Sequence, residues 1–281
     1  MIELNKIYQE DCINFMNRMI VDGLSVDVIV TSPPYNINKK YHSYKDRRER
    51  KDYLSWLSDV AKTSYKILEN DGSFFLNVSG TPSDSLLPLE VSSVFTHSDY
   101  KLQNTIHWIK SIAIESDDLA KNGFFSPSES VSIGHFKPIS SRRFMNDFHE
   151  YIFHFTKDGN VKLDKLAIGV PYQDKTNIGR WKTAKEDRRD RGNVWFIPYQ
   201  TIRKERPHPA VFPERLPYLC IKLHGVRKGM IVYDPFMGIG STALACLQLE
   251  IDFIGTEIDN AYIKAAIGSI ENLKKKNPFN Y

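Results

Sequence analysis

Two short stretches carry residue types suited to specific chemistry. The first, Thr31-Ser32-Pro33-Pro34-Tyr35-Asn36, closes the apolar run Val26–Val30. Consecutive prolines exclude helix, remove two N–H donors and hold the preceding residues extended. A hydroxyl and backbone carbonyls then project from a strand end as a rigid set of acceptors. Such a set suits a planar substrate bearing an amine, with the acceptors taking its hydrogens and the Tyr35 ring stacking on its face; a plain Pro-Pro turn has the same local sequence. The second stretch, Tyr233–Thr242 or YDPFMGIGST, lies between the apolar run Met230–Val232 and the helix-forming Ala243–Leu249. Read as strand, glycine turn and helix, it lets Gly238 and Gly240 bring the backbone close to a ligand. The helix behind the turn offers unpaired N–H groups and a positive dipole end, so the ligand carries an anionic or carboxylate end there. Glu257 follows Gly240 by 17 residues, after the apolar run Ile251–Gly255. An acid so placed holds ribose hydroxyls in a dinucleotide-type site.

These residues need strands and helices to position them, and the periodicity supplies candidates. Lys6–Tyr8 reads as a strand ending in Glu10 and Asp11, and Ile13–Met19 as a helix. Asp11 could accept from an adenine amine or equally cap that helix. Tyr53–Leu68 has helical spacing and is stopped by Asn70-Asp71-Gly72, while Ser73–Val78, Gln103–Lys110 and Glu150–Phe155 read as strands. The stretch from Ile112 to Asp147 is irregular. Residues 157–200 are polar and weakly periodic, which reads as an inserted segment outside the core. A proline-rich approach then places Phe212 on a rigid bend before the helix Tyr218–Leu223.

Basic residues interleave with aromatics in the loop holding Lys39, Lys40 and Arg47. They recur at Arg142 and Arg143 beside Phe144, and at Arg188 and Arg189 in the charge run Lys182–Arg191. Such segments engage phosphates and bases, although solvated loops read the same way. The 281 residues carry 38 Lys and Arg against 34 Asp and Glu, for a net charge of +4 that suits a polyanion without demanding one and fits an ordinary soluble surface equally well. With 41% hydrophobic residues and no apolar run near the ~20 residues of a membrane span, a soluble protein with one large α/β core or two smaller ones is expected. The amino terminus has no apolar signal core, which points to the cytoplasm. Cys12, Cys220 and Cys246 have no metal-ligand spacing and read as reduced core thiols, so no metal is expected.

TSPPY at Thr31–Tyr35, HPAVFPERLP at His208–Pro217 and DPFMGIGST at Asp234–Thr242 resemble the signature set of amino-group DNA methyltransferases that use S-adenosyl-L-methionine. Their order, catalytic motif first and cofactor turn last, resembles the permuted beta class found in restriction-modification systems. Asp11, the strand ending Trp108-Ile-Lys110 and the run His149-Glu150-Tyr-Ile-Phe agree with lesser positions of that family. The resemblance implies an α/β, doubly wound, mostly parallel seven-stranded Rossmann-like sheet, circularly permuted, with a small target-recognition insertion. Residues 1–156 would form the catalytic half, 157–200 the insertion and 201–281 the cofactor half.

By the same resemblance Asp234, Phe236, Gly238 and Gly240 cradle the methionine part of the cofactor, Glu257 its ribose and Asp11 its adenine amine. Cys12, Thr31, Phe212, Pro235, Ser241, Thr242 and Ile258 complete the cofactor set. Ser32, Pro33, Pro34 and Tyr35 are the catalytic residues. Lys39, Lys40, Arg47, Arg142, Arg143, Arg188 and Arg189 are the candidates for DNA contact. The target base is flipped out of the duplex at a cost of a few kcal/mol. Its amine gives hydrogens to Ser32 Oγ and the Pro33 carbonyl, Tyr35 stacks on the ring, and the methyl moves in line without a covalent intermediate. No Pro-Cys pair exists to serve ring-carbon methylation, and Cys12 is not read as a nucleophile. Serine in the tetrad points to cytosine's 4-amino group, where aspartate would point to adenine's 6-amino group. An RNA amino-methyltransferase, a nicotinamide-dependent oxidoreductase and a non-catalytic DNA-binding regulator are the competing readings. Duplex DNA is the implied partner; a cognate restriction endonuclease and a homodimer are further partners such a resemblance admits.

Overall fold

Runs of β-branched and aromatic residues too apolar for a solvated edge become interior strands here, and amphipathic segments between them cover both faces. The computed structural model describes residues 1–39, 44, 46–120, 130–134, 139, 141–182, 184–198 and 211–276. In chain order the elements are β1 (Lys6–Gln9), α1 (Cys12–Asp22), β2 (Val26–Thr31), α2 (Arg50–Ile67), β3 (Leu68–Val78), α3 (Leu87–Thr96), β4 (Lys101–Ile109) and β5 (Ile112–Ile114). They continue with α4 (Ser116–Ala120), β6 (Val131–Ile133), β7 (His149–Thr156), β8 (Val194–Phe196), α5 (Arg215–His224), β9 (Ile231–Asp234), α6 (Ser241–Gln248), β10 (Asp252–Glu257) and α7 (Asn260–Lys276).

Eight strands form one sheet in the order β1-β10-β9-β2-β3-β7-β4-β8, and β5 pairs with β6 apart from it. Only β7 runs antiparallel to its neighbours; the other pairings in this sheet are parallel. The fold is therefore the expected α/β Rossmann-like one, with one strand more than the seven anticipated. That strand, β8, comes from the end of the inserted segment and pairs with β4 through Trp108 and Trp195. Both indoles are buried, and Ile168 and Ala184 of the same segment are buried too, so this stretch is partly core. Three residues are too few for a period-2 pattern to show in sequence.

Side-chain alternation in the strands sends Ile29, Phe74 and Leu76 to one face, where they meet Phe15 of α1, Leu57 of α2 and Phe95 of α3. Val28, Val30 and Phe75 go to the other, against Leu219 of α5, Ala243 of α6 and Ile270 of α7. Strands buried on both faces read as unbroken apolar runs, which is why they were visible in the sequence. Asn70, Asp71 and Gly72, expected as a helix stop, lie inside β3, where a register shift between Val26 and Val28 accommodates the irregularity. No described helix is long and apolar enough to cross a membrane.

Candidate active site

β1, β10, β9 and β2 are mutually parallel, so their carboxyl ends lie on one edge of the sheet, and the two chemical stretches end two of them. Ligands in such sheets sit outside the carboxyl ends. Here a cleft of about 1080 Å³, counted to its open mouth, is lined by Ser32, Pro33, Pro34 and Tyr35 from one stretch. Pro235, Phe236, Met237, Gly238, Ile239 and Ser241 line it from the other. Glu10, Asp11, Cys12, Glu257, Ile258 and Asp259 complete its floor, and Val211 and Phe212 stand at the wall. One buried carboxylate joins the stretches: Thr31 Oγ1 donates to Asp234 Oδ1 at 2.6 Å, and Thr242 Oγ1 donates to Oδ2 at 2.6 Å. The Phe236 N–H adds a third bond at 3.0 Å. Burial nevertheless raises the Asp234 pKa to about 6.

The serine-proline corner is held from several sides. Tyr53 of α2 donates to the Pro34 carbonyl at 2.8 Å. Ser32 Oγ donates to Tyr35 Oη at 2.8 Å, and Tyr35 Oη donates to Glu150 Oε2 at 3.0 Å. Beyond the corner, Asp46 is almost fully buried and accepts from the backbone N–H groups of Asn36, Ile37 and Lys39 at 2.8, 3.1 and 2.9 Å. That clasp brings Arg48 over the rings of Tyr44 and Trp56, at 5.3 and 5.1 Å, and Trp56 meets Phe236 edge-on at 5.5 Å. Tyr44, Arg48 and Trp56 all line the cleft.

At the glycine turn, Gly238 adopts φ +54° and its N–H donates to Glu257 Oε2 at 2.9 Å. The other oxygen of Glu257 accepts from the Asp259 N–H at 2.9 Å. Burial raises the Glu257 pKa, while these backbone donors oppose the rise. Helix α6 starts at Gly240 with no side-chain cap, so its first N–H groups are not taken by a capping side chain.

A family model described as DNA methylase, covering N6 and N4 enzymes, matches residues 26–268. The chain belongs to that family. This methylase is 28% identical over 277 residues to the Type II methyltransferase M.BglII of Bacillus subtilis, with 94% of this chain and 68% of the relative covered. Its fold matches the PvuII DNA methyltransferase, described as cytosine-N4-specific, with a TM-score of 0.63, 17% identity and coverage of 98% and 93% of the two chains. It also matches M1.HpyAVI, solved as a complex with SAM, with a TM-score of 0.55, 21% identity and coverage of 94% and 98%.

In this methylase Ser32, Pro33, Pro34, Tyr35, Asp11, Cys12, Phe212, Pro235, Phe236, Gly238, Ser241, Glu257 and Ile258 all reach the cleft. Thr31, Asp234 and Thr242, expected to touch the cofactor, do not line it. They are fully buried, and the carboxylate spends both oxygens on the two hydroxyls, so they fasten the ends of β2 and β9 to the first turn of α6 behind the wall. Gly240 also stands back. Its φ is +91°, and a Cβ there would sit 3.0 Å from Ala266 Cβ of α7, so the glycine serves helix packing. Asp11 does cap α1, accepting from Ile13 and Asn14 N–H at 3.0 and 3.1 Å, while its side chain still borders the cleft. The cap is therefore the role observed for this residue, and its contact with adenine belongs to the proposal. Tyr35, expected to stack by its ring, is in addition tied by its hydroxyl into a polar network.

Lys39, Arg47, Arg142, Arg143, Arg188 and Arg189 are exposed, and Lys40 lies outside the described residues. Cys12, Cys220 and Cys246 are buried free thiols whose pKa values burial pushes up, which suits inert core residues. Arg48, Trp56 and Tyr262 are cleft residues that sequence reasoning missed. Trp56 had a usable signal, an indole on the α2 segment, but nothing in the sequence states that this turn of the helix meets Phe236.

Proposed function

We propose that this methylase transfers a methyl group from S-adenosyl-L-methionine to the exocyclic 4-amino group of a cytosine flipped out of duplex DNA. The observation that carries the reading is the presence of the Ser32-Pro33 acceptors and the glycine turn in one cleft. The residues there fit the donor. Glu10, Asp11, Glu257 and Asp259 offer acceptors for its amine and hydroxyl hydrogens, the N–H end of α6 suits its carboxylate, and Phe236, Phe212 and Ile258 supply apolar walls. Four acidic residues also favour a ligand with a cationic centre. Bound there, the cofactor supplies an electrophilic methyl on a sulfonium.

Everything else falls to the chain. Ser32 Oγ and the Pro33 carbonyl take the two amine hydrogens and draw the nitrogen lone pair out of conjugation. The buried Thr31–Asp234–Thr242 fastening fixes the distance between that nitrogen and the glycine turn, so alignment is built in before substrate arrives. Residues 157–200 serve as the recognition segment between a catalytic half, 1–156, and a cofactor half, 201–281. A restriction endonuclease of the same sequence specificity is the functional partner this reading implies.

The choice of cytosine rests on serine in the tetrad and is supported by likeness to the PvuII enzyme. The family model spans N6 as well as N4 enzymes, so adenine is the second reading. Incubation with labelled cofactor and genomic DNA, followed by nucleoside analysis, tests both. Label in 4-methylcytosine is expected; label in 6-methyladenine overturns the base, and label in RNA alone overturns the substrate.

A further inference from the structure

Behind the serine-proline corner lies a polar network that the transfer reaction as described does not use. Tyr35, Asn77, Glu150 and Lys110 stand at or just beyond the ends of β2, β3, β7 and β4 respectively, four strands adjacent in the sheet. Glu150 Oε2 receives Tyr35 Oη at 3.0 Å and Asn77 Nδ2 at 2.7 Å, and Glu150 Oε1 receives Lys110 Nζ at 3.1 Å. Asn77 Nδ2 also donates to Tyr35 Oη. We propose, building on the reading of Ser32 as acceptor for the target amine, that Glu150 is a positioning residue that acts through Tyr35 to fix the direction of the serine hydroxyl.

The donor and acceptor inventory forces that direction. An ionised carboxylate only accepts, and an ammonium or amide nitrogen only donates. Tyr35 has one hydroxyl proton, and Glu150 takes it. The phenolic oxygen is left to accept from Asn77 and from Ser32, whose Oγ is 2.8 Å away. The serine proton is thereby committed to the wall, and its lone pairs are what remain to meet a substrate in the cleft. A hydroxyl that is free to donate or accept becomes an acceptor, polarised by a chain of hydrogen bonds that ends in a carboxylate. Ser32 then does the work that a carboxylate would do in the same place.

Asn77 supports a role beyond packing. Its Oδ1 is buried without a hydrogen-bond partner, an arrangement that weakens the fold. Turning the amide over would relieve nothing, because its oxygen would then face the Glu150 carboxylate. The amide is held donor-first toward Tyr35 and Glu150 at the expense of its own carbonyl.

The test is a double-mutant cycle in the full chain with Glu150→Gln, Tyr35→Phe and the pair. Single-turnover methyl transfer into duplex DNA is read beside cofactor affinity by calorimetry and the melting temperature. Each single change is expected to slow transfer by about 100-fold, with cofactor Kd within about twofold of wild type. The pair is expected to be no slower than Tyr35→Phe alone, because both changes cut one chain. Tyr35→Phe keeps the ring and removes one oxygen, so it tests the proposal even where Glu150→Gln folds poorly. Wild-type transfer rates in Tyr35→Phe, losses that multiply in the pair, or equal losses of cofactor binding overturn the proposal. Wild-type protein that methylates no nucleobase amine overturns this proposal together with the functional reading beneath it. Active wild type with unaffected variants overturns the proposal alone.

Discussion

At the scale of residues, the proposed function divides the labour between the two chemical stretches, and single changes separate them. On the proposed reading of Ser32 as acceptor for the target amine, Ser32→Ala removes that acceptor and touches nothing at the glycine turn. Methyl transfer is expected to fall by about 100-fold with cofactor affinity unchanged, read by single-turnover kinetics and calorimetry. Gly238→Val does the reverse. A β-branched residue at φ +54° carries strain on the order of 1–3 kcal/mol, and the N–H that meets Glu257 is displaced with it. Cofactor affinity is expected to fall by at least about tenfold. Equal loss of cofactor affinity in both variants would refute the division. Residue types at these positions were readable because their chemistry is local: a Pro-Pro corner and a glycine turn each declare their backbone. Which side chains face a ligand was not. Asp234 and Thr242 sit in a motif that faces the cleft in part, yet Asp234 is buried between Thr31 and Thr242 and bonded to both, and only the packing of β2 beside β9 reveals it.

At the scale of elements, the loop after the corner is shaped by one buried acid. Asp46→Ala removes the partner of three backbone N–H groups at a site 2% exposed. A loss of about 3 kcal/mol is expected in urea melts, with faster proteolytic cleavage near Arg48 as the Tyr44–Arg48–Trp56 wall loosens. A melt that matches wild type would show that the loop holds by other means. Strands in the middle of the sheet were legible to within a few residues, because burial on both faces makes them continuous apolar runs. Elements that lack such a run were not. α3 opens on Leu-Pro-Leu with no side-chain cap and so carries no start signal. β8 is short, and its place in the sheet depends on pairing across about 90 residues, from Trp108 to Trp195.

At the scale of the molecule, charge sets two further expectations. Arg188 and Arg189 are exposed on the segment read as the recognition insertion. Replacing both by alanine is expected to lower the slope of log affinity against log salt by about 2 if each neutralises one phosphate, with cofactor affinity unchanged. Fluorescence anisotropy across a salt series measures it, and an unchanged slope places the DNA elsewhere. The second expectation concerns acid. His154 and His224 meet on Ser73 Oγ at 3.0 and 2.9 Å beneath the sheet. Burial, then His224, lowers the His154 pKa to about 3, and burial and Arg227 lower that of His224. An imidazole in the unfolded chain takes its proton near pH 6.5, so below that value the unfolded state binds more protons and stability falls as pH falls toward 3. Asp234, with its pKa raised to about 6, has the opposite sign: its contribution is lost as pH rises through that value. The variant isolates the histidine. Between pH 7.5 and 5, wild type is expected to lose about 2 kcal/mol more than His154→Gln in urea melts; equal losses would remove His154 from the account.

The anchoring of β8 bears on any effort to exchange target specificity between relatives. Asn193 is bonded to both Thr105 and His107, and Ile197 receives the Trp108 indole N–H, so this run is riveted to the sheet edge. A swap of the variable segment that replaces residues through Gln200 would pull a rivet out of the host's core. One that ends before Asn193 would spare that rivet but still replace Ile168 and Ala184, which are buried, so hybrids of that design should stay folded where the donor keeps those two positions apolar, and should change sequence preference if the segment reads DNA as proposed.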